Sequence, residues 1–458
     1  MEPQTSAELP AYADVTSPTP SREPVTHSDS LGGEHGGKPF ATLNIVSRAA
    51  SANNQPVGYE GQPIVGSVDL NVEKETAFEA IAVTFAGDLV VGDNLRFTFV
   101  EASQQLWSPP LEGRTRSLLD NLLRSPPSAK LQGEFHWPFS LAIPSTVDLP
   151  EETGGAVKTY HLPQTFHLPM FQGYIIYRVV LRIKRAGIMA VDHLLFTNVS
   201  YFAKSKPPAP SPARQLAYQD NTSLVGPSGD PDGWHTLDSV TVRGTIGNGQ
   251  PVEAIYTLQL SLAKPLSYTV GSVVPLHLSV RCADPAALEL LSTPSAIAVD
   301  LLATESMGYD IWPEANMHTT PIDQRIIYLA DVKSVPTYRH MSLRLASAVW
   351  WDVSSEQKLP TDTRELQGEL HVRSTLQPTI HLARFNFSYR VALYPPHIAG
   401  FKSEGAKGDK LATVPVDMCA YFADGPRPIV YSPPTYSETH EPELDSLNRF
   451  NAMFNLSF

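Results

Sequence analysis

From Ile64 to Val72 the chain reads Ile-Val-Gly-Ser-Val-Asp-Leu-Asn-Val, which sets Ile64, Val68, Leu70 and Val72 on one parity of a period-two pattern. Strands put successive side chains on opposite faces, so this alternation predicts a half-buried β-strand. The same period recurs at Val240 and Val242, over Val252 to Leu262, and over the β-branched stretch Val273 to Val280. Helical periodicity is confined to two short segments, Ser117 to Arg124 and Pro285 to Leu291. A sheet with one apolar face must cover that face with a second layer. The expectation is therefore an all-β chain built as two β-sandwiches of immunoglobulin type.

Two bodies follow from length and proline. At roughly 100–200 residues per domain, 458 residues exceed one ordinary core. Proline, at 41 residues, stands well above the usual ~5%, and it gathers at boundaries. Residues 1–39 are rich in Ser, Thr, Pro and Gly and read as a disordered tail. Residues 40–204 form the first body, and 205–236, opening on Pro207-Pro208-Ala209-Pro210, read as a Pro/Gly-rich linker. Residues 237–424 form the second body and 425–458 a second disordered tail.

The bodies resemble each other in three places, in the same order. Gly61 and Gly271 each open an apolar strand. Gly133-Glu134-Phe135-His136 matches Gly368-Glu369-Leu370-His371, and Tyr177-Arg178-Val179-Val180-Leu181 matches Tyr389-Arg390-Val391-Ala392-Leu393. This predicts a duplicated sandwich.

Composition excludes several classes. A formal net charge of -13 argues against a nucleic-acid binder, which needs a basic surface for phosphates. Two cysteines, Cys282 and Cys419, make no disulfide framework and no local metal clip. No run reaches the ~18 apolar residues of a spanning helix, and Met1-Glu2-Pro3-Gln4 lacks the basic-then-apolar order of a secretory signal. Without that signal, the Asn-x-Ser/Thr sequons at Asn198, Asn221, Asn386 and Asn455 read as chance, and the chain reads as cytosolic. Catalytic signals are poor: no Gly-x-Ser-x-Gly, no phosphate-cradling loop, no His-Glu-x-x-His. His161 and His167 match no usual zinc spacing, and Glu151-Glu152 reads as a solvated loop. The expectation is a non-enzyme that needs no cofactor and no metal.

Two tail motifs carry more information. Pro433-Pro434-Thr435-Tyr436 is a PPxY element, and Leu9-Pro10-Ala11-Tyr12 is its LPxY variant. Consecutive prolines hold a polyproline II form with little entropy left to lose. A tyrosine three residues after the first proline returns to the same side of that helix. WW domains read this pattern. Pro433, Pro434 and Tyr436 are the expected contacts, with Leu9, Pro10 and Tyr12 as a weaker second site.

Together with these tails, the segments from Gly133-Glu134-Phe135-His136-Trp137-Pro138-Phe139-Ser140-Leu141 to Ile143-Pro144, Leu162-Pro163 with Phe166, and Gly173-Tyr174-Ile175 with Tyr177 resemble an arrestin amino-terminal domain. Ser261 to Val280 is similar to the start of the carboxy-terminal arrestin domain. The whole resembles a fungal α-arrestin, an arrestin-related trafficking adaptor. That resemblance implies two arrestin-like domains that recruit a WW-domain HECT-type ubiquitin ligase to plasma-membrane transporters or receptors, which are then ubiquitinated and internalised. It also implies a cytoplasmic protein recruited to plasma membrane and endosomes. No arrestin polar core or phosphate sensor aligns onto the chain. The alternative is a retromer-like sorting scaffold with the same fold and no ligase. A sugar binder would want a groove of exposed aromatics, and alternation buries one of the adjacent pair Trp350-Trp351.

One basic cluster breaks the acidic balance. Arg178, Arg182, Lys184 and Arg185 lie close together, and alternation places Arg178, Arg182 and Lys184 on one outward face. The expectation is contact with anionic headgroups or an acidic cargo tail.

Overall fold

The structure is a computed structural model that describes residues 23–32, 38–91, 95–110, 128–151, 155–168, 171, 173–187, 190–247, 252–308, 338–353, 359–383, 385–404 and 409–433. It is all-β, with curled, mostly antiparallel sheets consistent with two sandwich-like bodies. The first body holds β1 (Val25–Leu31), β2 (Ala41–Ser47), β3 (Val57–Tyr59), β4 (Ile64–Val91), β5 (Leu95–Trp107), β6 (Ala129–Leu141), β7 (Thr146–Pro150), β8 (Val157–His161), β9 (Gly173–Arg185) and β10 (His193–Phe202). The second holds β11 (Trp234–Thr236), β12 (Val240–Ile246), β13 (Val252–Ala263), β14 (Ser267–Thr269), β15 (Val273–Cys282), β16 (Ala298–Gly308), β17 (Tyr338–Ser347), β18 (Val349–Asp352), β19 (Thr363–His371), β20 (Ile380–Leu382), β21 (Phe385–Tyr394), β22 (Phe401–Ser403) and β23 (Ala412–Cys419).

The expected period holds where a strand has one wet face. Ile64, Val68, Leu70 and Val72 are buried, while Val65 is exposed. In β15 it fails: Val273 through Leu278 are all buried, so both faces of this strand are covered there. Of the tryptophan pair, Trp350 is buried and Trp351 partly exposed, as alternation requires. The segment Pro285–Leu291 is a helix capped by Asp284, whose carboxylate accepts from the Ala286 and Ala287 amides. Ser117 to Arg124 lies outside the described residues.

Strand pairing carries the duplication. Both β3 and β14 are short, pair in parallel with the last strand of their body (β10 and β23), and turn through a glycine at positive φ into the next strand. Gly61 (φ 77) and Gly271 (φ 79) hold the same left-handed backbone, closed by Gln62 N to Tyr59 O and Ser272 N to Thr269 O. Strand β9 lies beside β10 as β21 lies beside β23, and β6 joins the incoming strand as β19 does. The difference lies in the middle. In the second body β15 pairs with β13 and β19, a helix intervenes, and β16 then pairs with β17 and β21. In the first body one 28-residue strand does both jobs. The first part of β4 pairs with β2 and β6, its second part with β5 and β9, with an irregularity between Val72 and Thr76.

The paired tyrosines confirm the equivalence at side-chain level. Tyr177 and Tyr389 are both about 1% exposed, and each donates its hydroxyl to a carbonyl upstream, Pro163 and Gln377. Burial forfeits water around a phenol, so each hydroxyl has an internal acceptor. That burial raises both phenol pKa values above 10.0.

Three segments depart from the sequence expectation. Residues 25–31, inside the expected tail, form an edge strand on β2, tied by His27 to Ser47 and by Thr197 donating to Asp29. Their polar sequence hides this because only one of seven side chains is buried. The expected linker holds a helix, Pro212–Asp220, capped by Ser211 with proline at its first position. Its Arg214, 4% exposed, donates to the Lys264 and Gly233 carbonyls and lies 5.0 Å over the Trp234 ring. Finally, residues 425–433, assigned to the second tail, lie against the second body.

Candidate partner-binding site

The approach to the PPxY element is built from the end of β23 onward. Ala420 N donates to Ser205 Oγ and Tyr421 N to Ser205 O, so the outgoing chain lies beside the segment that joins the bodies. Lys206 pairs with Asp424 at 2.5 Å, and Arg427 stacks 4.7 Å over Phe422. Pro426 and Pro428 then share a shallow groove with Pro207, Pro208 and Tyr218. Prolines offer no amide to a sheet ladder, so apolar contact is the way such a segment is held.

Past these prolines the chain meets one carboxylate. Glu369, on β19 and 1% exposed, accepts from the amides of Tyr431 (3.0 Å) and Ser432 (2.9 Å). His371 Nε2 lies 3.0 Å from Glu369 Oε1 and 3.2 Å from Ser432 Oγ. Burial pushes the Glu369 pKa up, but hydrogen bonds from His371, from Ser432 and from the two amides outweigh it and hold the carboxyl below 4.5. A depressed folded value means the contact stabilises above pH 4.5 and is lost as pH falls through the lower folded value. Acidification should release residues 431–432 in a single step below pH 4.5, read from their amide NMR signals. A step near neutral pH would assign control to His371 instead.

Pro433 follows at once and is exposed. Pro434 and Tyr436, like Leu9, Pro10 and Tyr12, lie outside the described residues. Sequence reasoning missed Glu369 and His371 as an anchor. The similar tetrapeptide in the first body gave no guide: Glu134 pairs with Lys38 and His136 with Asp69 on an exposed face, and the registers differ, with Gly133 opposite Val72 and Gly368 opposite Leu276.

The basic cluster is not one outward face. Arg178 is 2% exposed, and its Nε lies 3.0 Å from the fully buried Asp88, which also accepts from Thr98. Strand β9 runs between β4 and β10 and is covered on both sides at this point, so alternation does not send Arg178 to water. Arg182 lies 3.8 Å from Asp192, and Lys184 lies 2.8 Å from Glu79. Arg185 is partly exposed. Close carboxylates thus offset three of the four cations expected to meet a lipid surface.

The bodies meet where the segment leading into β9 packs against β16, β21 and the loop before β20. Phe166 and Phe171 pack on Phe387 at 4.7 and 5.4 Å, Gln164 donates to Gln377, and the buried Glu305 accepts from Gly173 N at 3.0 Å. Beside this junction lies an open cleft of about 660 Å³ whose lining includes Lys158, His161, Lys204, Lys206, His381 and Asp417. Glu151, Glu60, Asp424 and Asp417 pair with Lys158, His161, Lys206 and His381. Among the described residues no cluster of three or more metal-ligating side chains occurs, and no helix is long and apolar enough to cross a membrane.

No protein-family model matches the chain, and a search of curated proteins found no match.

Proposed function

We propose that this chain is a non-enzymatic adaptor: two arrestin-like sandwiches engage a membrane transporter or receptor, and the PPxY element recruits a WW-domain HECT-type ubiquitin ligase. The observation that carries the reading is the anchor just ahead of the motif. Glu369 fixes the backbone at Tyr431 and Ser432, and exposed Pro433 begins the motif. A ligand tethered at a fixed point on a rigid body samples a small volume. Modest WW affinity then converts into a high effective ligase concentration near bound cargo. The β-sandwich architecture and the tail motifs support an arrestin-type adaptor together. A retromer-like scaffold would need only the former.

Full-length protein binding a ligase's tandem WW domains tests this. Tyr436→Ala is expected to weaken binding by tenfold or more, because the tyrosine fills its own pocket. Tyr12→Ala should cost less, since in the LPxY element Leu9 stands where the PPxY element has its first proline. Equal losses would remove the ranking. No binding by the wild type would favour the scaffold.

A further inference from the structure

The Glu369 clasp closes on a serine followed by proline, Ser432-Pro433. We propose that Ser432 is the acceptor site of a proline-directed serine kinase, and that phosphate there opens the clasp of Glu369 and His371. The segment has the form such an enzyme needs: Ser432 is partly exposed, Pro433 is exposed, and residues 426–433 belong to no strand or helix. Ser211-Pro212 differs, because the Ser211 hydroxyl caps a helix and donates to Asp230. In the step itself, Ser432 Oγ forms a bond to the γ-phosphorus of ATP and the bond from that phosphorus to the bridging oxygen breaks. ADP leaves, and the hydroxyl proton passes to the kinase's base.

The consequence follows from charge. A phosphoserine adds about −1.5 to −2 at neutral pH. Here it would stand on an oxygen 3.2 Å from His371 Nε2, with the Glu369 carboxylate 3.0 Å from that same nitrogen. Glu369 is 1% exposed and is held ionised by hydrogen bonds from His371, from Ser432 and from the two amides, so water screens little of the repulsion. His371 supplies at most one positive charge against about 2.5 to 3 negative ones. Arg214, whose field reaches Tyr431, is committed to the Lys264 and Gly233 carbonyls. Leaving relieves it: the hydrogen bonds from the Tyr431 and Ser432 amides to Glu369 and the Ser432–His371 contact break, and the Tyr431 side chain, whose hydroxyl is buried, comes away with them.

The clasp and its modification stand on this geometry alone; their effect on ligase recruitment rests on the adaptor reading. The experiment treats full-length protein with a proline-directed kinase and ATP, maps phosphate by mass spectrometry, and follows hydrogen exchange of peptides spanning 426–433. Phosphate at Ser432 is expected, with at least a tenfold fall in protection over 426–433 and none across β19. Glu369→Gln should lower protection without phosphate and should be modified faster, because its segment is already open. Ser432→Ala should stay protected and unmodified. Absence of phosphate at Ser432 in both wild type and Glu369→Gln would overturn the site. Phosphate with unchanged protection would overturn the switch. WW binding is measured on the same samples: an opened clasp with no WW binding in either state keeps the switch and removes the adaptor reading.

Discussion

Asp88→Ala should be the most damaging single substitution in the first body, with a loss of about 3–5 kcal/mol. The carboxylate is fully buried, it lies 3.0 Å from the Arg178 Nε, and it accepts from Thr98 at 2.5 Å. Deleting it leaves a guanidinium, itself 2% exposed, beside a hole between β4 and β9. The cost is the uncompensated charge more than the lost attraction, since such pairs gain little over an apolar replacement of similar volume. That distinction is testable. The double variant Asp88→Leu/Arg178→Met should recover most of the loss in urea titrations, whereas Asp88→Ala alone lowers the melting temperature of the coupled unfolding. A single-variant loss under 1 kcal/mol would mean that water reaches the pair.

Gly173→Val should act where the bodies touch. A Cβ at Gly173 would stand 2.6 Å from the Phe385 ring and 3.0 Å from Glu305 Oε1, closer than carbon tolerates. The ring lies in a packed aromatic cluster with Phe166 and Phe387, so it has little room to yield. Strain of about 1–3 kcal/mol adds to loss of the Gly173 N–H bond to a buried carboxylate, about 1–3 more. The sum, about 2–6 kcal/mol, falls on the junction. Calorimetry should show two separated transitions in place of one coupled unfolding, while each body keeps its strand content by circular dichroism. Glu305→Gln, which keeps an acceptor for the amide, should change far less. If Gly173→Val leaves the transitions joined, the bodies are coupled elsewhere.

The fold was largely legible because strand patterning is local. Ile64 to Val72 announces its buried side, and Tyr177 and Tyr389 mark equivalent strands by spacing and neighbours. What stayed hidden depends on what comes to rest against a residue. Arg178 and Arg390 occupy matching positions, yet Arg390 is exposed while Arg178 meets Asp88. Alternation predicts a face; it does not say whether a second layer covers that face. Glu134 and Glu369 sit in similar tetrapeptides that occupy different registers: Gly133 lies opposite Val72, eleven residues after Gly61, whereas Gly368 lies opposite Leu276, five after Gly271, so this sequence match did not mark equivalent positions. The Ser211-Pro212 pair carried a helix-start signal that the surrounding prolines masked. The strand Val25–Leu31 draws its stability from backbone pairing with β2, which side-chain hydropathy does not register.

The last strand of the second body has a consequence for how the chain is made. Strand β23 fills the slot between β14 and β21, in parallel with one and antiparallel with the other. Synthesis runs from the amino terminus, so Tyr268 emerges long before Ala412, and Tyr389 shortly before it. Until then two strand edges face each other across an empty lane, each an open template for a stranger's strand. The first body has its own last strand, β10, by Phe202, while its twin waits. A nascent chain stalled before residue 412 is therefore the species most exposed to misassembly, and the one that a ribosome-bound chaperone would need to shield.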